Sequence, residues 1–175
     1  MPFLNPENVI KAIGVDTGMV VADFGAGAGF YTIPLARAVG PTGKVYALDV
    51  QKSVLEVVRS KAKQERLLNI NPIWADLDSR GGSHLADGSV HVVLISNILF
   101  QTDNKKEMLA EAFRVLEPRG KIALIDWALS ARGGPPTERV LKKDAAETLL
   151  EETGFRRLNE FSAGDAHYGL LYQKP

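Results

Sequence analysis

The sequence predicts an α/β protein, a three-layer sandwich in which helices cover both faces of a mostly parallel sheet. Five strand-like apolar runs alternate with helical patterns up to Asp126 of the 175 residues. This alternation indicates parallel strands joined by crossover helices. Two further strand patterns near the C-terminus are separated only by residues 162–165. That connection is too short for a crossover helix, so the last strand is predicted to run antiparallel.

The first elements follow from their end signals. Asn5 is a typical N-cap and Pro6 suits a first helical turn, so a short helix is predicted to begin there and to end at Gly14. Pro34 is compatible with a helix only in its first turn, which places the start of the second helix near Phe30. The predicted order is this leading helix, a strand at 19–24, a helix at 30–39 and a strand at 44–48.

The later elements are bounded in the same way. Ser53 precedes Glu56 by three residues, a pattern typical of a capping box, so the third helix is predicted to begin at Ser53. Pro118 and Gly120 predict a turn before the fifth strand. The remaining predicted elements are strands at 71–75, 90–96, 121–126, 155–161 and 168–173, helices at 103–116 and 144–153, and loops at 79–89 and 133–136.

A glycine-rich turn follows the first strand. Residues 19–29 read MVVADFGAGAG, in which Gly25, Gly27 and Gly29 alternate with small residues. Glycine allows positive φ and lets a ligand lie against the main chain. Nucleotide-type cofactors need this approach because backbone N–H groups at a helix N-terminus hold much of the ligand. The run therefore predicts a cofactor-binding loop, with an ordinary strand-to-helix turn as the alternative.

Composition narrows the function classes. Lys plus Arg and Asp plus Glu each number 21, and this zero net charge argues against a nucleic-acid partner. The chain has no cysteine, which excludes disulfides, thiol nucleophiles and cysteine metal sites, and we expect no metal site. No apolar run has the length of a membrane span, and no secretion signal is visible. We expect one soluble, cytoplasmic domain over residues 1–175, whose oligomeric state the sequence leaves open.

Three carboxylates close three successive predicted strands. Asp23, Asp49 and Asp76 follow the first, second and third strands, at the edge where open parallel sheets bind ligands. Asp49 lies 24 residues after Gly25, which is typical of an acid that binds both ribose hydroxyls of a nucleoside. Each acid taken singly is equally compatible with a helix cap or a solvated turn.

The loop differs from two common nucleotide-binding patterns. The nicotinamide fingerprint GxGxxG needs a glycine where this chain has Phe30, and the Gly-Lys-Ser/Thr end of a phosphate-binding loop is absent. The order of Asp23, GxGxG, Asp49 and Asp76, with the reversed last strand, resembles the class I S-adenosylmethionine-dependent methyltransferases. The resemblance covers residues 5–174 through VADFGAGAG, VYALDV, WADL and EAFRVLEPRGKIALID, and is to small members near the quinone-biosynthesis group. It implies a Rossmann-like fold with a seven-stranded sheet.

The resemblance also implies roles for residues at matching positions. S-adenosylmethionine would be the cofactor and S-adenosylhomocysteine the product. The family often has an acid just before the fourth strand, where this chain has His91 at the amino end of the strand, so His91 is interpreted as structural. The implied cofactor-binding residues are Asp23, Gly25, Ala26 and Gly27 for the methionine moiety, Asp49 for the ribose, Asp76 and Leu77 for the adenine, Asn97 for the methionine end, and Val50 without a specified role.

The chemistry of the acceptor is less defined. Methyl transfer from a sulfonium needs in-line alignment and exclusion of water, and an amine, phenol or carbon-acid acceptor also needs a base. The sequence assigns no catalytic residue, and His167 and Tyr168 are equally compatible with simply closing the terminal hairpin. The acceptor-pocket candidates at predicted strand ends are Asn97, Asp126, Trp127, His167 and Tyr168.

A small, apolar molecule is the predicted acceptor. The lack of cysteine argues against arsenite, and residues 96–100 read SNILF rather than the Asn/Asp-Pro-Pro-aromatic run typical of enzymes that methylate base amines. Three alternatives stay open: a protein side-chain methyltransferase, a nicotinamide-dependent oxidoreductase and a non-catalytic cofactor-binding domain.

Overall fold

The computed structural model describes residues 5–128 and 134–175, so residue 133 of the predicted loop at 133–136 lies outside the described part. Within it, helices and strands alternate as predicted. The helices are α1 Pro6–Ala12, α2 Thr32–Val39, α3 Lys52–Gln64, α4 Lys105–Val115 and α5 Lys143–Thr153, with 3₁₀ turns at Leu99–Gln101 and Thr137–Arg139. The strands are β1 Val20–Phe24, β2 Lys44–Asp49, β3 Ile70–Trp74, β4 Val90–Ser96, β5 Leu116–Trp127, β6 Arg156–Ser162 and β7 His167–Gln173.

The strands form one seven-stranded sheet in the order β3-β2-β1-β4-β5-β7-β6. β1 is parallel to β2 and β4, and β4 is parallel to β5. β7 is antiparallel to both β5 and β6. The predicted Rossmann-like α/β/α sandwich with a reversed last strand is confirmed. The strand order changes direction between β1 and β4, and a crevice opens at the carboxyl ends of such a pair.

Two apolar layers hold the helices to the sheet. Because strand side chains alternate between faces, the central strands contribute to both layers. In β5 the alternation directs Trp127 to one face and Asp126 to the other. The α1/α2 face includes Val9, Ile13, Val21, Leu35, Val39, Val45, Leu94 and Ile125. The α4/α5 face includes Phe24, Ile95, Leu109, Ala112, Leu124, Leu150 and Tyr172.

Several local signals in the sequence are confirmed. The Asn5 side chain accepts a hydrogen bond from the N–H of Glu7 at 2.9 Å and caps α1. Gly154 ends α5 in the left-handed conformation, with φ of 105°. His91 is structural, as predicted, because its Nδ1 accepts the N–H of Val20 at 2.8 Å at the amino end of β1.

Two predicted boundaries are wrong. The capping box at Ser53 does not start α3, which begins at Lys52 without a side-chain cap, because the Asp49 carboxylate already accepts the N–H of Gln51 at 2.9 Å just before the helix. Residues 118–120 do not separate α4 from a fifth strand. They lie inside β5 as a bulge, where Arg119 has φ of 67° and its N–H donates to Lys174.

Candidate active site

A cavity of about 450 Å³ opens at the carboxyl ends of β1, β2, β3 and β4. Its volume is in the range of pockets that hold small ligands. Most of the predicted cofactor residues meet in it, although they are spread along the chain. The lining residues are Gly25, Gly27, Asp49, Val50, Gln51, Ala75, Asp76, Leu77, Asp78, Ser96, Asn97, Ile98, Gln101, Thr102 and Met108.

The glycine loop presents bare backbone to this cavity. The N–H groups of Gly25 and Ala26 both donate to the Leu48 carbonyl, at 2.8 and 2.9 Å, which ties the loop to β2. Gly25 has φ of 77°, and a Cβ there would lie 2.5 Å from the Ile98 side chain. Gly27 has φ of 49° and only open space where a side chain would project. The loop therefore leaves a backbone-lined cradle.

Asp49 connects the loop to the start of α3. One carboxylate oxygen accepts the N–H of Gly27 at 2.9 Å and the other accepts the N–H of Gln51 at 2.9 Å. An ionised carboxylate has about four lone-pair sites, so each oxygen keeps an acceptor position. Asp49 can thus hold the loop and accept two hydroxyl groups of a ligand.

Asp76 and Leu77 form the far wall of the cavity. The Asp76 carboxylate accepts the N–H of Asp78 at 3.2 Å and the Ser79 hydroxyl at 3.0 Å, which fixes the turn after β3. The Thr102 hydroxyl donates to Asp78 at 2.7 Å and joins this turn to the segment that precedes α4. Leu77 is buried beside them and supplies an apolar surface.

Asn97 has the strongest mark of a ligand-binding position. It follows β4 with φ of 57°, a conformation that side chains other than glycine adopt rarely. Its N–H donates to Ile125 at 2.9 Å, and its carbonyl accepts the Gln101 side-chain amide at 2.9 Å. Its Oδ1 is buried without a hydrogen-bond partner among the described residues. A buried acceptor without a partner is unfavourable, so a donor from a ligand fits here.

Asp23 and Ala26 are not among the residues that line the cavity. Asp23 lies in the penultimate position of β1 and is buried, and the Thr32 hydroxyl at the start of α2 donates to it at 2.6 Å. Burial raises the pKa of Asp23 to about 7 although the Thr32 bond opposes the rise. The predicted direct contact of Asp23 with the methionine moiety stays a prediction.

The predicted acceptor residues divide between the two faces of the sheet. Trp127 and His167 are cross-strand partners whose ring centroids lie 4.3 Å apart. Asp126 and Tyr168 form the adjacent pair, which strand alternation directs to the α4/α5 face, and the Tyr168 hydroxyl donates to Leu141 at 2.9 Å. These five candidates therefore do not form one cluster, because consecutive strand residues point to opposite faces.

Asp126 is enclosed on its face. It is 0% exposed, one carboxylate oxygen accepts the Trp127 N–H at 2.8 Å, and the other has no partner within the described ranges. Burial raises the pKa of Asp126 to about 6. Burial likewise raises the pKa of Tyr168 and lowers that of His167.

Sequence reasoning missed half of the cavity wall. The segment after β4 folds back as a 3₁₀ turn and brings Ile98, Gln101 and Thr102 to the crevice, and none of these three carries a sequence signal beyond its distance from Asn97. Asp78 had a visible signal, since it lies two residues after Asp76. The missed lining residues are Gln51, Ala75, Asp78, Ser96, Ile98, Gln101, Thr102 and Met108.

A family model described as a methyltransferase domain matches residues 15–162. The chain belongs to the methyltransferase domain family. The predicted membership in the class I S-adenosylmethionine-dependent methyltransferases, with S-adenosylmethionine as the cofactor, is confirmed. The chain is similar over almost all of its length to a crystal structure of a SAM-dependent methyltransferase from Aquifex aeolicus. That structure is 30% identical with a TM-score of 0.90, over 99% of this chain and 91% of the other.

The names of two similar curated proteins specify a substrate. The demethylmenaquinone methyltransferase of Lactococcus lactis is 34% identical over 117 residues, which are 67% of this chain and 45% of that protein. The demethylmenaquinone methyltransferase of a Geobacillus strain is 32% identical over 120 residues, which are 69% of this chain and 50% of that protein. The chain thus spans about half the length of the curated relatives it matches.

The cavity fits S-adenosylmethionine in three respects. The open space at Gly27 admits a ligand against the backbone, the carboxylates Asp49 and Asp76 can accept from hydroxyl and amine groups, and the unpartnered Oδ1 of Asn97 can accept from an ammonium. An anionic phosphate is a poorer match, because both strand-end side chains at β2 and β3 are acidic. The donor and acceptor pattern therefore suits a cationic nucleoside.

Proposed function

We propose that the chain transfers a methyl group from S-adenosylmethionine to a small, planar acceptor of the quinol type. The observation that carries the proposal is that the glycine cradle, Asp49, Asp76 and Asn97 line one cavity, where Oδ1 of Asn97 is buried without a partner among the described residues. The similarity to two demethylmenaquinone methyltransferases supports the acceptor class. We further propose that residues 1–175 act as one domain.

The residues of the cavity divide the cofactor between them. We infer that Asp49 accepts both ribose hydroxyls, Asp76 accepts the exocyclic amine of the adenine beside Leu77, and Asn97 accepts the methionine ammonium. When bound, S-adenosylmethionine supplies a methyl group on a positively charged sulfur. The chain contributes alignment and shielding from water, which such a displacement needs more than it needs a catalytic side chain.

Two other functions are less well supported. In dinucleotide-binding proteins the third fingerprint glycine allows the helix to pack closely on the strand. Phe30 occupies that position in this chain and is 54% exposed. A nicotinamide-dependent oxidoreductase is disfavoured for this reason. A protein side-chain acceptor lacks a specific observation in its favour.

Among the helices within residues 5–128 and 134–175, none combines the length and the apolar character needed to traverse a bilayer. The predicted cytoplasmic location stays a prediction.

Binding and turnover test the proposal separately. Calorimetry should detect S-adenosylmethionine and S-adenosylhomocysteine but not NAD, and binding of NAD alone would contradict the cofactor assignment. Transfer of labelled methyl from S-adenosylmethionine to 1,4-naphthoquinol, identified by mass spectrometry as ring methylation, should then occur with the wild type. Methylation of a peptide mixture but of no quinol would favour the protein-acceptor alternative.

A further inference from the structure

Trp127 and His167 form an aromatic pair at the carboxyl edge of the sheet. Their ring planes are inclined by 38° with centroids 4.3 Å apart. Gly134 lies close to the indole, since a Cβ at that glycine would be 3.0 Å from the Trp127 ring. Both Trp127 and His167 are partly exposed. The indole therefore contacts two neighbours and is only partly buried.

The strand order sets the distance from this pair to the cofactor cavity. Ser96, the last residue of β4, is paired with Ile125 of β5, and Trp127 follows two residues later. β7, which carries His167, is the next strand. Adjacent strands are about 4.8 Å apart, so His167 lies about 10 Å across the sheet from the end of β4. The pair therefore lies two strands away from the end of β4, whose residues Ser96 and Asn97 line the cavity.

His167 has the properties of a base at this position. Its Nε2 is buried and has no hydrogen-bond partner in residues 5–128 or 134–175. Burial lowers the pKa of its imidazole, which favours the neutral, proton-accepting form near neutral pH. Its stacking partner Trp127 and the adjacent Gly134 are uncharged. The nearby carboxyl of Asp126 is directed to the opposite face by strand alternation.

We propose that Nε2 of His167 is the general base that accepts the hydroxyl proton of a planar phenol or quinol acceptor lying against Trp127. This inference rests on the proposed function and adds to it a catalytic residue and the position of the acceptor. The hydroxyl proton moves to Nε2 while the ring carbon beside the hydroxyl bonds to the methyl carbon. The bond from that methyl to sulfur breaks and its electron pair stays on sulfur. The proton on the methylated ring carbon then leaves to solvent, which restores the aromatic ring, and Nε2 returns its proton to the ring oxygen, so one proton is released overall and the base is regenerated.

Asp126 is a weaker candidate for the same role. It is fully enclosed on the α4/α5 face, and its backbone partner Trp127 occupies one of its oxygens. An acceptor on the Trp127 side of the sheet would be separated from this carboxyl by the β5 backbone. His167 is thus the base that shares a face with the aromatic surface.

Matched variants distinguish the effect of the basic nitrogen of His167 from the effect of its packing against Trp127. His167→Phe keeps a ring against Trp127 but removes the nitrogen, and His167→Ala removes both. General base catalysis contributes about 100-fold or more, so kcat with 1,4-naphthoquinol should fall about 100-fold in both variants. Added imidazole should restore turnover in His167→Ala but not in His167→Phe. His84→Asn, in an exposed loop, is the control and should retain the wild-type rate.

A binding measurement reports on the acceptor without turnover. The chain has two tryptophans, so Trp74→Phe leaves Trp127 as the sole indole fluorophore. Oxidised 1,4-naphthoquinone should quench this fluorescence saturably, and should do so equally when His167→Phe is added. Quenching no greater than that of free tryptophan would contradict an acceptor next to Trp127.

The possible failures are distinguishable. If the wild type methylates naphthoquinol while His167→Phe keeps kcat within about threefold, below any general-base effect, the assignment of His167 is wrong and the proposed function stands. If imidazole fails to rescue His167→Ala, the histidine acts through packing and the assignment is again wrong. If the wild type methylates no quinol and Trp127 is not quenched, the acceptor class fails and His167 loses its proposed role with it.

Discussion

Replacement of Asp49 should weaken cofactor binding through its contacts with the ribose. One hydrogen bond to an ionised carboxylate contributes about 1.5 to 3 kcal/mol. Asp49→Ala should therefore raise the Kd for S-adenosylhomocysteine by at least about 10- to 150-fold, the loss expected from one such bond. Asp16→Ala is the matched control, because Asp16 is exposed before β1 at the opposite edge of the sheet.

Asp49 also holds the backbone, and this second effect must be separated from the first. Its oxygens accept the N–H groups of Gly27 and Gln51, so Asp49→Ala should lower the free energy of unfolding by about 2 kcal/mol at about 1 kcal/mol per bond. Asp49→Asn retains one acceptor oxygen and should lose about half as much. Urea unfolding of the free proteins measures this difference.

A comparison of adenosine with 2′-deoxyadenosine isolates the ribose contact. The wild type should bind adenosine more tightly, because the 2′-hydroxyl donates to Asp49, and Asp49→Ala should bind both nucleosides equally. This is a double-mutant cycle with the ligand as one partner. A preference for adenosine that survives in Asp49→Ala, or a Kd within about twofold of wild type, would refute the ribose assignment.

Three further predictions concern stability. The pKa of Asp126 rises from 3.8 to about 6 on folding, so the wild type should lose about 2 kcal/mol more stability than Asp126→Asn as pH rises from 4 to 7; the raised pKa of Asp23 lowers the stability of both proteins over the same range. Urea unfolding at both pH values tests this, and parallel pH profiles would contradict it. Arg114→Met leaves the buried Glu111 carboxylate without its guanidinium partner and should lower the unfolding free energy by about 3 to 5 kcal/mol at pH 7, a loss that would be absent if water replaced the contact. Gly25→Ala forces a Cβ to within 2.5 Å of Ile98; it should lower both Tm and cofactor affinity, and an unchanged affinity would show that the loop adjusts without a ligand penalty.

The fold could be predicted because its signals are local. Apolar runs, helix caps and the short connection at 162–165 each specify an element from neighbouring residues, and the strand-end acids then mark one edge of the sheet. Asp49 was identifiable from its distance to Gly25. The capping box at Ser53 was wrong because the same Asp49 satisfies the backbone before α3 and makes a cap at Ser53 unnecessary.

The parts that could not be predicted depend on contacts between distant segments. Thr32 donates to Asp23 only after α2 packs on β1, and this contact leaves the acid inside the protein rather than in the cavity wall. The pairing of Trp127 with His167 requires the register of β5 and β7. The alternation of residues along a strand predicts the face on which each side chain lies, but it does not predict which residue of the neighbouring strand is its partner.

The sheet order has a consequence for how this protein could be altered. Strands β1, β2 and β3 lie on one side of β4, and β5, β7 and β6 lie on the other. The nucleoside contacts belong to the first group and the Trp127–His167 pair to the second. A chimera joined between α4 and β5, with the residues from 116 onward taken from a relative, should take on the acceptor preference of that relative and keep the nucleoside affinity of this chain.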